Sequence, residues 1–201
     1  HGYNNYGQLG YGHKTSWGKH EKRSGDILPF VDLGPGKKVW GVAMSLSSSC
    51  AKLSDGSLRC WGYNIGGMLG VGDTHNRGDQ PDEMGANLPA VGLPATDKVA
   101  EIHVGGTFTC VVLADRSVKC WGSVNTQGTG GYLGDHPDEL GADKLKPIDF
   151  GSGLKVAKLA VGQSHACALL SDESIKCFGA NTYGQLGLGH NLVIGNKPEH
   201  Y

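Results

Sequence analysis

The segment Cys50-Ala51-Lys52-Leu53-Ser54-Asp55-Gly56-Ser57-Leu58-Arg59-Cys60-Trp61-Gly62 decides the fold. Asp-Gly between apolar residues reads as a three-residue hairpin loop, with Gly56 at the left-handed position of a bulged type I turn. Such a loop sets Leu53 opposite Ser57, and the register carried outward sets Cys50 opposite Cys60. Directly opposed Cβ atoms lie ~4.5–5.5 Å apart, closest in non-hydrogen-bonded pairs, which is near disulfide reach.

The same unit recurs. The six cysteines fall as Cys50/Cys60, Cys110/Cys120 and Cys167/Cys177, each pair ten residues apart. Trp61-Gly62, Trp121-Gly122 and Phe178-Gly179 follow the second cysteine, and Gly2 continues the phase upstream. An asparagine comes next (Asn4, Asn64, Asn125, Asn181), then a Leu-Gly step at Leu9-Gly10, Leu69-Gly70, Leu133-Gly134 and Leu186-Gly187. On this alignment the third block carries four extra residues within Thr126–Gly131. Val39, Val99 and Val156 each open a stretch of alternating apolar residues: Trp40/Val42/Met44, Ala100/Ile102/Val104 and Ala157/Leu159/Val161. A period of two marks half-buried strands, and no 3.6-residue stripe is sustained, so little helix is expected. The repeats run 1–38 (partial), 39–98, 99–155 and 156–201 (partial), forming one all-β unit.

Composition narrows the class. Glycine makes up 34 of 201 residues, far above the typical ~7%, with no tripeptide period that would suggest collagen. Eighteen basic and nineteen acidic side chains leave a formal charge of −1, so no net field draws the chain to nucleic acid or anionic lipid. No apolar run approaches the ~20 residues of a membrane span. The chain opens on His1 rather than Met, as expected of a processed protein or a window from a longer one.

In the second and third hairpins the left-handed turn position holds Arg116 and Glu173, where a side chain costs roughly 1–2 kcal/mol. A disulfide across each hairpin would offset that cost, closing a loop worth roughly 2.5–3 kcal/mol in chain entropy. Reduced core thiols and zinc are the alternatives, and nine intervening residues do not match zinc-knuckle spacing. Three intra-hairpin disulfides favour an extracellular or cell-surface location.

The unit Cys-x9-Cys-Trp-Gly-x-Asn, followed by Gly-Gln-Leu-Gly-x-Gly at Gly7–Gly12 and Gly184–Gly189, resembles the regulator-of-chromosome-condensation repeat. Val161-Gly162-Gln163-Ser164-His165-Ala166-Cys167 matches its usual lead-in, while Ser48 and Phe108 stand where His165 stands. The cysteine-paired version is similar to repeats of secreted or surface proteins. The resemblance implies a β-propeller of four-stranded antiparallel blades, usually seven to a ring. About three and a half blades fall in this chain, which leaves open edges to be completed by more chain or by other copies.

Site candidates are few. His13, His75, His136 and His190 follow the Leu-Gly steps and are read as loop residues rather than metal ligands. Arg77-Gly78-Asp79, the tripeptide read by adhesion receptors, is a possible interaction loop. Catalytic motifs, phosphate loops and cofactor fingerprints are not found, so no enzymatic activity and no cofactor are expected. The leading expectation is a non-enzymatic extracellular structural or adhesive module that self-assembles into an oligomer or filament. Its partners would be copies of itself or other extracellular proteins, with no nucleic acid and no membrane insertion. The alternatives are a secreted protein-recognition propeller and a guanine-nucleotide exchange factor for a small GTPase.

Overall fold

A computed structural model describes residues 2–18, 27–123, 132–151 and 153–194. Asn125, the Thr126–Gly131 stretch and the Pro198-Glu199 pair lie outside the described residues. Three antiparallel sheets follow one another: β1 (Val39–Met44), β2 (Ser48–Leu53) and β3 (Leu58–Gly62); β4 (Val99–Val104), β5 (Phe108–Leu113) and β6 (Val118–Gly122); β7 (Val156–Val161), β8 (His165–Leu170) and β9 (Ile175–Gly179). Short 3-10 turns lie at Ile65–Gly67 and Gly85–Asn87.

Hairpin register follows the turn chemistry. Leu53 N–H donates to Ser57 O at 2.9 Å, and the equivalent bonds at Leu113/Ser117 and Leu170/Ser174 are 2.8 Å. Gly56, Arg116 and Glu173 occupy the left-handed position at φ 85°, 67° and 69°. Cys50 pairs with Cys60, Cys110 with Cys120 and Cys167 with Cys177, with Cα atoms 4.1, 4.1 and 4.0 Å apart, and each pair forms a disulfide.

Alternation along β2 and β3 gives each sheet two different faces. Cys50, Leu58 and Cys60 share one face; Ala51, Leu53 and Trp61 share the other. The disulfide face of the first sheet packs against Val111, Leu113 and Trp121 of the second. Cys110, Val112, Val118 and Cys120 pack in turn against Ala166, Ala168, Leu170 and Phe178 of the third. Trp61, Trp121 and Phe178 are 6%, 0% and 3% exposed; Trp121 and Phe178 belong to the cores between sheets, and Trp61 packs with Leu33 and Leu88 on the other face of the first sheet. Burying a large side chain of this kind contributes roughly 1.5–3 kcal/mol.

Two expectations are refined. Each sheet has three continuous strands, and the fourth position is held by isolated bridges such as Gly62–Arg77 and Arg59–Ala90. Pro89 immediately precedes the bridging residue Ala90, Pro147 precedes Ile148, whose N–H donates to Val118 O at 2.8 Å, and a proline without an N–H cannot extend a ladder. The period of two also breaks at its first member. A bulge between Val39 and Gly41 makes Trp40 the extra residue, and the same shift recurs at Ala100 and Ala157. Beyond the bulge, Ile102, Val104, Leu159 and Val161 turn onto the preceding sheet, whereas Trp40 remains 68% exposed.

Candidate functional site

Gly2, Gly62, Gly122 and Gly179, where loops leave the third strand position, stand at the end of the sheets opposite the hairpin turns, on the side of one rim. A buried asparagine organises three of these loops. Asn64 donates its amide to Asp73 O (2.8 Å) and His75 O (2.9 Å), and its Oδ1 accepts Leu69 N–H (2.9 Å). Asn4 does the same with His13 O (2.6 Å), Thr15 O (3.2 Å) and Leu9 N–H (2.8 Å). Asn181 does so with His190 O (2.7 Å), Leu192 O (3.0 Å) and Leu186 N–H (3.0 Å). All three asparagines are fully buried. Burying this amide is tolerable only because its donors and its acceptor are all engaged. The sequence marked these asparagines as a repeat phase but not as clamps; the constant five-residue spacing to the following leucine was the available signal.

The rim is tied to the next sheet through one backbone carbonyl per loop. Gln8 O accepts from Trp61 Nε1 (3.0 Å) and Ser49 Oγ (2.9 Å); Met68 O accepts from Trp121 Nε1 (3.1 Å) and Thr109 Oγ1 (2.9 Å). Ser49 and Trp61 are cross-strand neighbours, as are Thr109 and Trp121. The third such pair is Ala166 and Phe178, which has neither donor.

The bridges explain why, and they correct the sequence alignment. Gly2–Trp17, Gly62–Arg77 and Gly179–Ile194 close loops spanning fifteen residues, but Gly122–Leu133 closes one of eleven. Leu133-Gly134 is thus the counterpart of Arg77-Gly78, not of Leu69-Gly70. The third loop is four residues shorter, not longer, than its fellows. The sheet that follows the shortened loop is the one whose hydroxyl and indole are replaced by Ala166 and Phe178. A buried indole N–H without an acceptor would cost about 1–3 kcal/mol.

The Arg77-Gly78-Asp79 tripeptide is not a displayed interaction loop. Arg77 forms the bridge to Gly62, and its guanidinium contacts Asp73 at 2.5 Å. Asp79 is 9% exposed and bound to Lys14 at 3.1 Å, while its N–H donates to Glu83. Gly78 packs against the backbone of Gly7 and Gly10, so all three residues are consumed by the framework.

His13 and His190 occupy equivalent clamp positions, and His75 lies two residues beyond its own. His136, in the shortened repeat, is exposed. Among the described residues no three His, Cys, Asp or Glu side chains converge on a metal-sized space. The rim instead displays tyrosines. Tyr3 and Tyr183 are 71% and 92% exposed, and Tyr6 stacks on Tyr63 with ring centroids 4.4 Å apart.

The opposite rim is made of charged turns. Asp55, Asp115 and Asp172 each accept from the N–H and hydroxyl of the serine two residues on. Those bonds hold the Asp115 and Asp172 carboxyls below their ordinary value, and for Asp55 the Lys37 ammonium is the larger cause. Arg116 reaches across the seam, donating Nε to Val156 O (2.6 Å), Nη2 to Ala157 O, and Nη1 to Glu101 (2.6 Å). Arg116 therefore ties the second sheet to the third, at the seam where the indole tie is absent. On the loop side, burial and the neighbouring Glu139 raise the Asp135 carboxyl above its ordinary value.

Comparison with known proteins agrees with this architecture. Residues 156–185 match the regulator of chromosome condensation (RCC1) repeat. The chain is 28% identical over 189 residues to the mitochondrial RCC1 domain-containing protein RUG3 of Arabidopsis thaliana, covering 92% of this chain and 38% of that one. Human WBSCR16 superposes with a TM-score of 0.65 at 23% identity, covering 96% of this chain and 45% of that one. Yeast Prp20p gives 0.61 at 19%, covering 94% and 42%. The chain thus spans under half the length of each of these relatives. The three sheets are β-propeller blades, and the chain is similar to RCC1 repeat proteins over nearly its whole length.

Proposed function

We propose that this chain is a non-catalytic protein-recognition segment of a β-propeller, with the loop rim as its binding face. One observation carries the reading: identical asparagine clamps hold loops that display exposed tyrosines, Tyr3, Tyr6 and its repeat equivalent Tyr183. Tyrosine offers large amphipathic contact area at low entropic cost, which suits protein recognition. The related Prp20p is described as binding Gsp1p and histones, so the fold family includes protein binders. Three hairpin disulfides support an extracellular or otherwise oxidising compartment. A photo-crosslinking residue at position 183, on the loop rim, should capture a discrete polypeptide from the native source. The same group at position 172, on the turn rim, should not. Equal capture at both positions, or none at 183, overturns the assignment of the face.

Self-assembly is the second reading, and uncovered blade faces favour it. Val42 and Met44, equivalent to the packed Ile102 and Val104, are 66% and 69% exposed. At the other end Ile175 is 67% exposed beside the half-buried Cys167–Cys177 pair. Against simple head-to-tail stacking, the loop closed by Gly2 and Trp17 already fills the rim position that the loop of an incoming last blade would need. Sedimentation velocity across a hundredfold range of concentration separates the two. A constant coefficient favours recognition, and continuous growth favours assembly.

A further inference from the structure

A groove of about 480 Å³ lies on the outside of the first seam, between the loop Gly10–His13, the segment around Phe30 and the Pro81–Met84 turn. Its apolar lining includes Tyr11, Phe30 and Met84, and its carboxylates are Asp32 and Asp82. No Lys or Arg lines it. Lys14, next to His13 in the chain, is held away by Asp79 at 3.1 Å. The Tyr11 ring is fixed edge-on to Trp17, with centroids 5.7 Å apart.

The equivalent position in the next repeat separates framework from addition. Pro81-Asp82 corresponds to Pro137-Asp138, and both aspartates adopt positive φ (64° and 67°), so that turn is a framework feature. Met84 corresponds to Leu140. Tyr11, Phe30 and Asp32, however, correspond to Val71, Ala90 and Gly92, which carry neither an aromatic ring nor a charge. Folding the blade does not require the aromatic and acidic set. Phe30 is 99% exposed, and an apolar ring held in water gains nothing from folding.

Resting on the protein-recognition reading above, the geometry points to this groove as a site for a cationic side chain with an alkyl stem, a lysine or arginine of a protein partner. The stem would lie along Phe30 and Met84, and the charge would reach Asp32 and Asp82, with Tyr11 supplying a ring face. Asp32 is exposed, and its Oδ1 accepts from Gly34 N–H at 2.8 Å, which holds the carboxylate in place at the groove.

The three methionines Met44, Met68 and Met84 make the test local. With methyl-13C methionine in the whole chain, titration with Nα-acetyl-lysine methylamide should shift the Met84 methyl saturably and leave Met44 and Met68 unmoved. Asp82→Asn and Phe30→Ser, both at exposed positions, should each weaken the response at least threefold, and added salt should weaken it in the wild type. The oppositely charged Nα-acetyl-glutamate methylamide should give no saturable shift. A Met84 response equal for both probes, or absent for lysine, overturns the site. That failure would leave crosslinking at position 183 untouched, so the two readings fail separately.

Discussion

Trp121 donates its indole N–H to the carbonyl of Met68, 53 residues earlier in the chain, at 3.1 Å. This bond ties a blade to the rim loop of the blade before it, and Thr109 adds a second donor to the same oxygen. Trp61 and Ser49 repeat the arrangement on Gln8. The tie is therefore a property of the repeat that depends on loop length.

Trp121→Phe should lower stability by roughly 1–2 kcal/mol, the worth of a buried hydrogen bond plus some lost packing. Phe178→Trp should not gain the converse stability, because its neighbouring loop is four residues shorter. Urea denaturation of both variants checks the pair; a stabilised Phe178→Trp would show that loop length does not govern the tie.

Asn64→Ala removes a side chain engaged in three backbone hydrogen bonds and leaves buried partners unpaired. A loss of about 2–4 kcal/mol is expected. Hydrogen exchange should show the Leu69 amide losing protection before the strand amides of β2. Asn64→Asp keeps the acceptor and loses the donors, so its Leu69 amide should stay better protected than in the alanine variant.

Asp135 and the turn aspartates should respond to pH with opposite signs. The Asp135 carboxyl is raised by burial and by Glu139, so its charged form destabilises the folded state. That penalty is full above the raised folded value and disappears as pH falls below the unfolded one. Asp135→Asn should therefore raise the Tm at neutral pH and lose its advantage in acid. For Asp115, held low by Ser117, stabilisation is present above the unfolded value and lost as pH falls through the folded one. Ser117→Ala should accordingly reduce the Tm at neutral pH and make little difference in strong acid. Tm curves of both variants against pH check the signs.

Mild reductant should open Cys167–Cys177 first. Those sulfurs are half-buried on an uncovered face, whereas Cys50, Cys60, Cys110 and Cys120 are at most 1% exposed between blades. Differential alkylation followed by peptide mass spectrometry should find label at Cys167 and Cys177 before the other four. Equal rates at all three pairs would show that global opening, not exposure, governs reduction.

What the sequence alone determined was local. Turn residues set the hairpin register, and register placed each cysteine opposite its partner; both depend on contacts within ten residues. The alternation of side chains then assigned Trp61, Trp121 and Phe178 to a face, and burial followed. Tertiary structure decided everything that depends on which loop meets which blade. The apparent Leu-Gly match at Leu133-Gly134 was a coincidence of residue type, and only the bridge to Gly122 reveals the shortened loop. Arg77-Gly78-Asp79 reads as a surface motif until Lys14, far away in sequence, covers Asp79. Arg116 looked like a conformational cost to be offset by a disulfide. In the fold its guanidinium bonds carbonyls of a strand 40 residues further along, a compensation that no local pattern encodes. Short-range sterics and periodicity are written along the chain, whereas hydrogen-bond partners across a seam exist only once the blades have packed.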